Sequence, residues 1–276
     1  MTQSLKNLLK NKLSDTERKH LIGSFDVVGD MAITIIPPEL VHRESIIAQS
    51  ILESNNRIKV VAKRAGHYGG DYRTIPLVIL AGENRKETEH KEYGIKLLLN
   101  PEKVYYSTRS AAERKRVADM VSPEEHVLVM FSGIGPYPLH IEKFSKAASI
   151  IGIEKNPVAH HYAIENLTRN KVLDRVTLLC GDVLELLPQL NREFNRIIMP
   201  LPKTADRYLG MALEFLQKNG WLHYYDFEDH DQMHKSTVLL EASCLQNNRK
   251  LIKYTRTICG HTGPHTHRIC INGNIA

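Results

Sequence analysis

Apolar and polar positions recur with distinct periods along the chain, and these periods predict its elements. Four apolar residues at 127–130 run into a glycine turn at 131–135, which indicates a buried strand stopped by a turn. A helical segment separates this strand from a second apolar run at 148–153, and a third run follows at 176–180. Strands that alternate with helices in this way predict a doubly wound α/β sheet.

Shorter elements precede this region. Leu5, Leu8, Leu9 and Leu13 have roughly helical spacing, so we expect residues 1–20 to form a basic N-terminal helix or tail. The elements predicted after it are strands at 31–36, 58–63, 77–82 and 95–99, a helix at 39–52, a loop at 67–74 and a charged turn at 87–94. They predict a small α+β domain over residues 21–100, which we expect to bind RNA or substrate. The larger domain is predicted to comprise residues 101–276.

The C-terminal part continues the larger domain. An apolar strand at 221–227 and a helical stripe at 236–245 precede residues 256–270, which predict a closing β-hairpin. The hairpin contains Cys and His residues, but their spacing fits no standard zinc site and strand residues alternate faces. We therefore expect no metal.

Length and composition agree with two folded domains. The chain has 276 residues, of which 42% are hydrophobic, so it can bury a substantial core. It has no apolar run approaching about 18 residues and no signal-like start, which predicts a cytoplasmic protein with no membrane association. Four cysteines without CxxC spacing predict reduced thiols.

Charge is distributed unevenly. Residues 1–120 carry 20 Lys and Arg against 15 Asp and Glu, whereas the remainder carries 17 against 16. The N-terminal excess suits a polyanion such as RNA, and it is equally compatible with an ordinary solvated surface.

Candidate chemistry collects at the ends of the three predicted strands. Gly133 and Gly135 remove side chains where a ligand could approach the backbone. Glu154 ends the second strand, where a carboxylate can accept both hydroxyls of a ribose. Asp182 follows the third strand and can accept from an adenine amino group, with the N–H of Val183 beside it, or it can simply cap the next helix. Together these residues predict an adenosine-type cofactor.

The joining segment, residues 104–117, enters a helix just before the sheet. Glu113 is placed to pair with Arg109 or with Arg116 on a solvated helix face.

Eight blocks of sequence, in order, carry a family resemblance. They are SFDVVGDMAI, GDYRT, LAGENRKETEHKEYG, KVYYSTRSAAERKRV, MFSGIGP, GIEKNPVAHHYAIENLTRN, GDV and NRIIMPLPKTADRYLGMALEFLQKNGWLHYYDF. The chain resembles the archaeal and eukaryotic tRNA guanine-37 N1-methyltransferases from about residue 21 to its end. The family's additional N-terminal domain is expected to be missing or reduced to the leading helix.

The resemblance implies a class I S-adenosylmethionine (SAM) methyltransferase, with a Rossmann-like sheet and a small N-terminal α+β domain. It implies methylation of N1 of guanosine 37 in the tRNA anticodon stem-loop, which we expect of a monomer. Glu113 matches the family's proton acceptor, Arg73 the donor to O6, and Tyr105 the aromatic residue beside the methyl donor and target base. The candidate cofactor-binding residues are Arg109, Arg114, Phe131, Gly133, Gly135, Glu154, Lys155, Asp182, Val183 and Pro200.

Two departures leave alternatives open. The family usually carries an acid where this chain has Val129, and Asn-Leu-Pro where it has Pro200-Leu201-Pro202. One alternative is a SAM enzyme of the wybutosine pathway, which transfers an aminocarboxypropyl group or methylates a tricyclic guanosine intermediate. The other is a tRNA-binding protein with reduced activity.

Overall fold

The computed structural model describes residues 5–172, 174–201, 203–261, 263 and 265–276. The first four residues of the predicted tail, Pro202, and Thr262 and Pro264 of the predicted hairpin lie outside the described residues. The chain forms two compact units, the first ending at Thr108 and the second comprising Arg109–Ala276. This division comes later than the predicted one after residue 100. The Tyr106 hydroxyl donates to Glu92 at 2.7 Å, and this hydrogen bond holds residues 101–108 in the first unit.

The first unit combines short helices with two small sheets. Its elements are α1 (Leu5–Leu8), α2 (Asp15–His20), β1 (Asp26–Val28), β2 (Met31–Thr34), α3 (Glu44–Ser54), β3 (Val60–Arg64), β4 (Leu77–Gly82), β5 (Thr88–Glu92) and β6 (Ile95–Leu99). Within the described residues, four strands are ordered β1-β2-β3-β4 and β5 pairs with β6. The pair β2 and β3 is parallel and the other neighbours are antiparallel.

The leading helical segment packs into the core of this unit. Leu5, Leu9 and Leu13 are buried in one cluster with residues of α3, including Ile47 and Ile51. Their helical spacing places the leucines on one face, and burying a leucine contributes about 1.5 to 3 kcal/mol relative to leaving it exposed. The segment is therefore part of the first unit's core.

Two predictions in this unit are wrong. The charged turn predicted at 87–94 is strand β5, in which Thr88 pairs with Leu99 and Glu92 with Ile95. Thr88 and Glu92 are buried, so the strand keeps a period of two that its charged composition concealed. The helix predicted from residue 39 begins at Glu44, because a 3-10 turn, Pro38–Arg43, precedes it.

The second unit is a doubly wound α/β domain, as predicted. Its helices are α4 (Ala111–Asp119), α5 (Pro136–Phe144), α6 (Pro157–Arg169), α7 (Val183–Leu186), α8 (Leu209–Glu214) and α9 (Lys235–Gln246). Its strands are β7 (His126–Met130), β8 (Ser149–Glu154), β9 (Val176–Cys180), β10 (Phe194–Met199), β11 (Leu216–Asp229), β12 (Leu251–His261) and β13 (Thr266–Ile275). No helix in the described part of the chain is long and apolar enough to cross a membrane.

The sheet of this unit positions the site. Its strand order across the described residues is β12-β13-β11-β10-β7-β8-β9. Strands β7 to β11 run parallel, and β12 and β13 form the predicted antiparallel hairpin. The chain order reverses at β7, since β8 and β9 lie on one side of it and β10 and β11 on the other. Ligands of open α/β sheets bind at the carboxyl ends of the strands at such a point.

Candidate cofactor and catalytic site

Three loops meet at the carboxyl ends of β7, β8 and β9. The backbone N–H of Gly133 donates to Glu154 Oε2 at 2.7 Å, which joins the first loop to the second. Lys155 Nζ lies 3.1 Å from Asp182 Oδ2, which joins the second loop to the third. The structure thus brings together residues that the sequence placed at three separate strand ends.

The turn after β7 has an unusual backbone. Phe131, Gly133 and Gly135 have φ angles of 60°, 57° and 82°, in the left-handed region that disfavours side chains. No heavy atom lies within 4 Å of the position a Cβ would take at Gly133, so open space adjoins the backbone there. A Cβ at Gly135 would lie 3.3 Å from the Cβ of Ala163, so this glycine permits close packing against α6.

The Glu154 carboxylate faces backbone donors. Oε2 accepts from Gly133, and Oε1 accepts from the N–H of Asn156 at 2.7 Å. Burial raises the pKa of Glu154 above its ordinary 4.5, while the N–H groups of Asn156 and Gly133 oppose the rise. A carboxylate has about four lone-pair sites, so the group can still accept from a ligand hydroxyl beside the N–H groups of Gly133, Asn156 and Lys155.

Asp182 caps α7. Its Oδ1 accepts from the Leu184 N–H at 2.9 Å, which confirms the capping alternative. This backbone hydrogen bond, and then Lys155, lower the pKa of Asp182 below its ordinary 3.8. Val183 begins the helix and is buried. The adenine contact predicted for these two residues stays a prediction.

Glu113 lies on α4 and is only 6% exposed, so it does not belong to the solvated face that the sequence left open. Arg116, one of the two partners that the sequence offered, pairs with Glu113: Nε and Nη2 of Arg116 each donate to one carboxylate oxygen at 2.7 Å. The hydroxyl of Tyr225 donates to Glu113 Oε1 at 2.6 Å. The sequence carried no signal for Tyr225, which reaches Glu113 from β11.

A buried polar network supports this pair. Arg116 Nη2 also donates to Asn272 Oδ1 at 3.0 Å, and His223 Nδ1 lies 2.8 Å from the same oxygen. Arg196 Nη1 is 2.7 Å from His223 Nε2, and because arginine can only donate, Nε2 accepts and Nδ1 carries the hydrogen. Burial and then the Arg196 charge hold the pKa of His223 well below its ordinary 6.5. Arg196 is itself paired with Glu125 at 2.6 Å.

Two predicted catalytic residues lie in the first unit. Arg73 has a φ of 51°, and its Cζ lies 4.9 Å from the ring centroid of Tyr105, a cation–π contact.

In the second unit, Arg109 is exposed just before α4, whereas Arg114 is 3% exposed. Arg114 is therefore not part of an ordinary ion pair on the solvent-exposed surface.

The two positions that depart from the family pattern, Val129 and Pro200, lie near the carboxyl ends of β7 and β10. Val129 is fully buried in β7, where it adds an apolar side chain to the sheet core. Pro200 directly follows β10 and is half-buried. The ring of Phe131, a candidate cofactor-binding residue at this edge, packs at 4.8 Å and 74° against Tyr208.

The histidines of the hairpin form a chain of contacts. His267 Nδ1 lies 2.9 Å from His261 Nδ1, and His267 Nε2 lies 3.1 Å from His230 Nε2. The two nitrogens of His267 thus face different partners. Among the residues that the structure describes, no group of three His, Cys, Asp or Glu is arranged to hold a metal ion.

Two family models match the chain. Residues 88–252 match the TRM5/TYW2 methyltransferase domain, and residues 5–85 match the TYW2 N-terminal domain. Trm5b of Pyrococcus abyssi, a tRNA (guanine(37)-N(1))-methyltransferase, is 40% identical over 210 residues. That alignment covers 76% of this chain and 62% of the relative, so the chain spans less than two thirds of that protein. A crystal structure of Trm5b from the same organism has a TM-score of 0.86 at 33% identity, covering 96% of this chain and 78% of the other.

Two proteins of Methanocaldococcus jannaschii match over more of their own length. A tRNA(Phe) (4-demethylwyosine(37)-C(7)) aminocarboxypropyltransferase is 34% identical over 231 residues, which is 83% of this chain and 89% of the relative. The crystal structure of M. jannaschii TYW2 in complex with AdoMet has a TM-score of 0.70 at 25% identity, covering 91% of this chain and 99% of the other.

Proposed function

Because the chain belongs to the TRM5/TYW2 methyltransferase family, we propose that it transfers a methyl group from SAM to N1 of guanosine 37 in the tRNA anticodon loop. The observation that carries the proposal is the meeting of Gly133, Glu154 and Asp182 at one strand edge, in a unit that also holds the buried carboxylate of Glu113. The activity of Trm5b of Pyrococcus abyssi, a tRNA (guanine(37)-N(1))-methyltransferase, supports the choice of nucleoside.

The residues of the strand edge fit an adenosine-type cofactor. The open space at Gly133 admits a ligand to the backbone, and Glu154 retains lone pairs for ribose hydroxyls. Asp182 and the N–H of Val183 would face the adenine, and Lys155 neutralises Asp182 beside it. When bound, SAM supplies an electrophilic methyl group on a sulfonium.

Guanine N1 carries a proton and is not nucleophilic until a base removes it. Glu113 would accept this proton, and its carboxylate is already oriented by Arg116 and Tyr225. Arg73 would donate to O6, where the resulting charge delocalises. Tyr105 would lie beside the target base, with its ring already in contact with the Arg73 guanidinium.

The target base has to leave its stacked position in the RNA before the enzyme can reach it. A base stacked in the anticodon loop has to be extruded, at a cost of a few kcal/mol that contacts in the pocket offset. The excess of Lys and Arg in residues 1–120 would contribute phosphate contacts, so affinity should fall steeply with salt. We expect the protein to act as a cytoplasmic monomer, and light scattering of the purified chain tests the monomer.

A second candidate is transfer of an aminocarboxypropyl group to 4-demethylwyosine at position 37. The aminocarboxypropyltransferase of M. jannaschii matches over 89% of its length, and residues 5–85 match a TYW2 N-terminal domain. Pro200 replaces the asparagine usual in the methyltransferases that the sequence resembles, which leaves this candidate open. Both reactions break a bond to the same sulfonium, so the same strand edge serves either.

The test is mass spectrometry of nucleosides from tRNA incubated with the protein and SAM. One tRNA carries unmodified guanosine 37 and another carries 4-demethylwyosine at that position. We expect one methyl at guanine N1, and its loss in Glu113→Gln and Arg73→Ala. Glu165→Gln and Arg169→Ala, which alter an exposed pair on α6, are matched controls and should retain activity.

The alternatives give different products. Gain of an aminocarboxypropyl group on 4-demethylwyosine alone selects the second candidate. SAM binding without a product on either tRNA removes both. Full activity in Glu113→Gln would reject Glu113 as the proton acceptor while leaving the reaction in place.

A further inference from the structure

Four side chains of the first unit form a row in which two aromatic rings lie between two cations. Arg64 Cζ lies 5.6 Å from the ring centroid of Tyr68, and the rings of Tyr68 and Tyr105 meet edge to face at 5.8 Å and 70°. Arg73 Cζ lies 4.9 Å from the Tyr105 centroid at the other end. The family resemblance pointed to Arg73 and Tyr105, whereas Arg64 and Tyr68 entered neither the candidate site nor the proposed reaction.

The aromatic members of the row face solvent. Tyr68 is 47% exposed and Tyr105 is 39% exposed, and Tyr72 of the same loop is 42% exposed. A single exposed aromatic ring is ordinary, but two in contact, with a third in the loop that carries one of them, offer a surface whose burial would be favourable. A ligand with a flat apolar face would pack against these rings and bury them.

Both cations are held before any ligand arrives. Arg64 Nη2 donates to Asp26 Oδ2 at 2.7 Å, which places its guanidinium over Tyr68. Backbone hydrogen bonds between Gly69 and Thr74, at 3.0 and 3.2 Å, close the loop that carries Arg73. The left-handed φ of Arg73, 51°, is a conformation that costs a non-glycine residue free energy, so the closed loop holds it there. Binding of a ligand therefore costs little further conformational entropy in these side chains and in the loop.

Rings with guanidinium neighbours are suited to one class of ligand. Every nucleobase has a π face that stacks on tyrosine, and arginine can add a stacking or a phosphate contact beside it. Recognition of single-stranded RNA uses unstacked bases on aromatic side chains in this way, whereas paired bases within a duplex offer no free face. The lysine and arginine excess of residues 1–120 has the sign that RNA requires.

We propose that Tyr68, backed by Arg64, is a stacking position for an unpaired base of the tRNA anticodon loop, additional to the contact expected of Arg73 and Tyr105. The inference rests on the proposed function for the identity of the RNA. It concerns binding, so it can be tested without group transfer.

The experiment measures the affinity of the whole protein, without SAM, for two RNAs. One is an anticodon stem-loop, and the other is a blunt duplex with the same number of phosphates. Tyr68→Ala should weaken stem-loop binding about tenfold, as expected for loss of one stacked base, and Tyr68→Phe should stay within about twofold. Duplex binding should not change. Tyr68→Leu, which keeps apolar bulk without a π face, should resemble Tyr68→Ala.

Tyr254→Ala, at a ring 42% exposed on β12, is the matched control and should bind both RNAs as the wild type does. Equal losses for stem-loop and duplex would overturn the inference, since a stacked base contributes only to the first. Wild-type affinity in Tyr68→Ala and Tyr68→Leu would also overturn it. If wild-type protein then methylates guanosine 37, the proposed function survives that result. Selective loss of stem-loop binding with no group transfer would instead uphold the inference and reject the function.

Discussion

Arg116 and Glu113, one turn apart on α4, form a two-point ion pair with both hydrogen bonds at 2.7 Å. Glu113 is 5% exposed by its side chain and Arg116 is 29% exposed. Burial lowers the pKa of Arg116 and the Glu113 carboxylate raises it, and the net direction is upward. The pair fixes the direction of the carboxylate of the proposed proton acceptor.

Arg116→Gln should therefore alter both stability and catalysis. Loss of the cation leaves Glu113 buried with only Tyr225, which should cost about 2 to 3 kcal/mol of unfolding free energy. The carboxylate also loses the two hydrogen bonds that fix its direction, so kcat should fall. Urea unfolding and single-turnover rates measure the two effects. Arg169→Gln, at the exposed pair with Glu165, should change neither, and an unchanged single-turnover rate in Arg116→Gln would reduce the pair to a structural role.

Tyr225→Phe should lower kcat without changing KM for tRNA. The lost hydroxyl donates to Glu113 at 2.6 Å and accepts from the Tyr137 hydroxyl at 2.8 Å, and the Tyr225 side chain is buried. Leaving the buried Tyr137 donor unsatisfied should cost about 1 to 3 kcal/mol of unfolding free energy.

The double variant Tyr137→Phe, Tyr225→Phe separates these effects. It removes the unsatisfied hydroxyl donor of Tyr137, so part of the lost unfolding free energy should be recovered while kcat stays low. Tyr254→Phe is the exposed control. Recovery of kcat together with stability would show that Tyr225 acts only through folding.

Glu154 and Asp182 should change stability with pH in opposite directions. The folded pKa of Glu154 is raised, so its favourable contribution is present below the unfolded pKa and is lost as pH rises through the folded pKa. Wild-type stability relative to Glu154→Gln should thus fall as pH rises above the ordinary 4.5. The folded pKa of Asp182 is lowered, so wild-type stability relative to Asp182→Asn should fall as pH drops below the ordinary 3.8. Urea midpoints at several pH values measure both, and equal slopes would contradict the assignment.

His223 should make the fold sensitive to mild acid. Its folded pKa lies well below 6.5, so the unfolded chain binds the additional proton and stability is lost as pH falls below that value. The expected slope is about 1.4 kcal/mol per pH unit between the two pKa values. His223→Gln keeps one donor and one acceptor but does not titrate, so its difference from the wild type should show this slope.

Local pattern identified the strand edge well. The glycine turn, Glu154 and Asp182 were assigned to strand ends from apolar runs alone, and the structure joins them through Gly133 and Lys155. Composition misled where charge concealed alternation, because β5 carries charged side chains on its exposed positions and was predicted as a turn.

The period of apolar residues by itself determined the parallel strands, their order along the chain and the turn that opens the cofactor edge, because those features depend on neighbours in sequence. Tertiary structure alone decided that Glu113 is buried, that Arg116 pairs with it, and that Tyr225 completes its contacts. It also decided that Tyr68 lies between Arg64 and Tyr105. Tyr225 is distant in sequence from Glu113, as Tyr105 is from Tyr68, so only strand pairing and loop closure bring these side chains together.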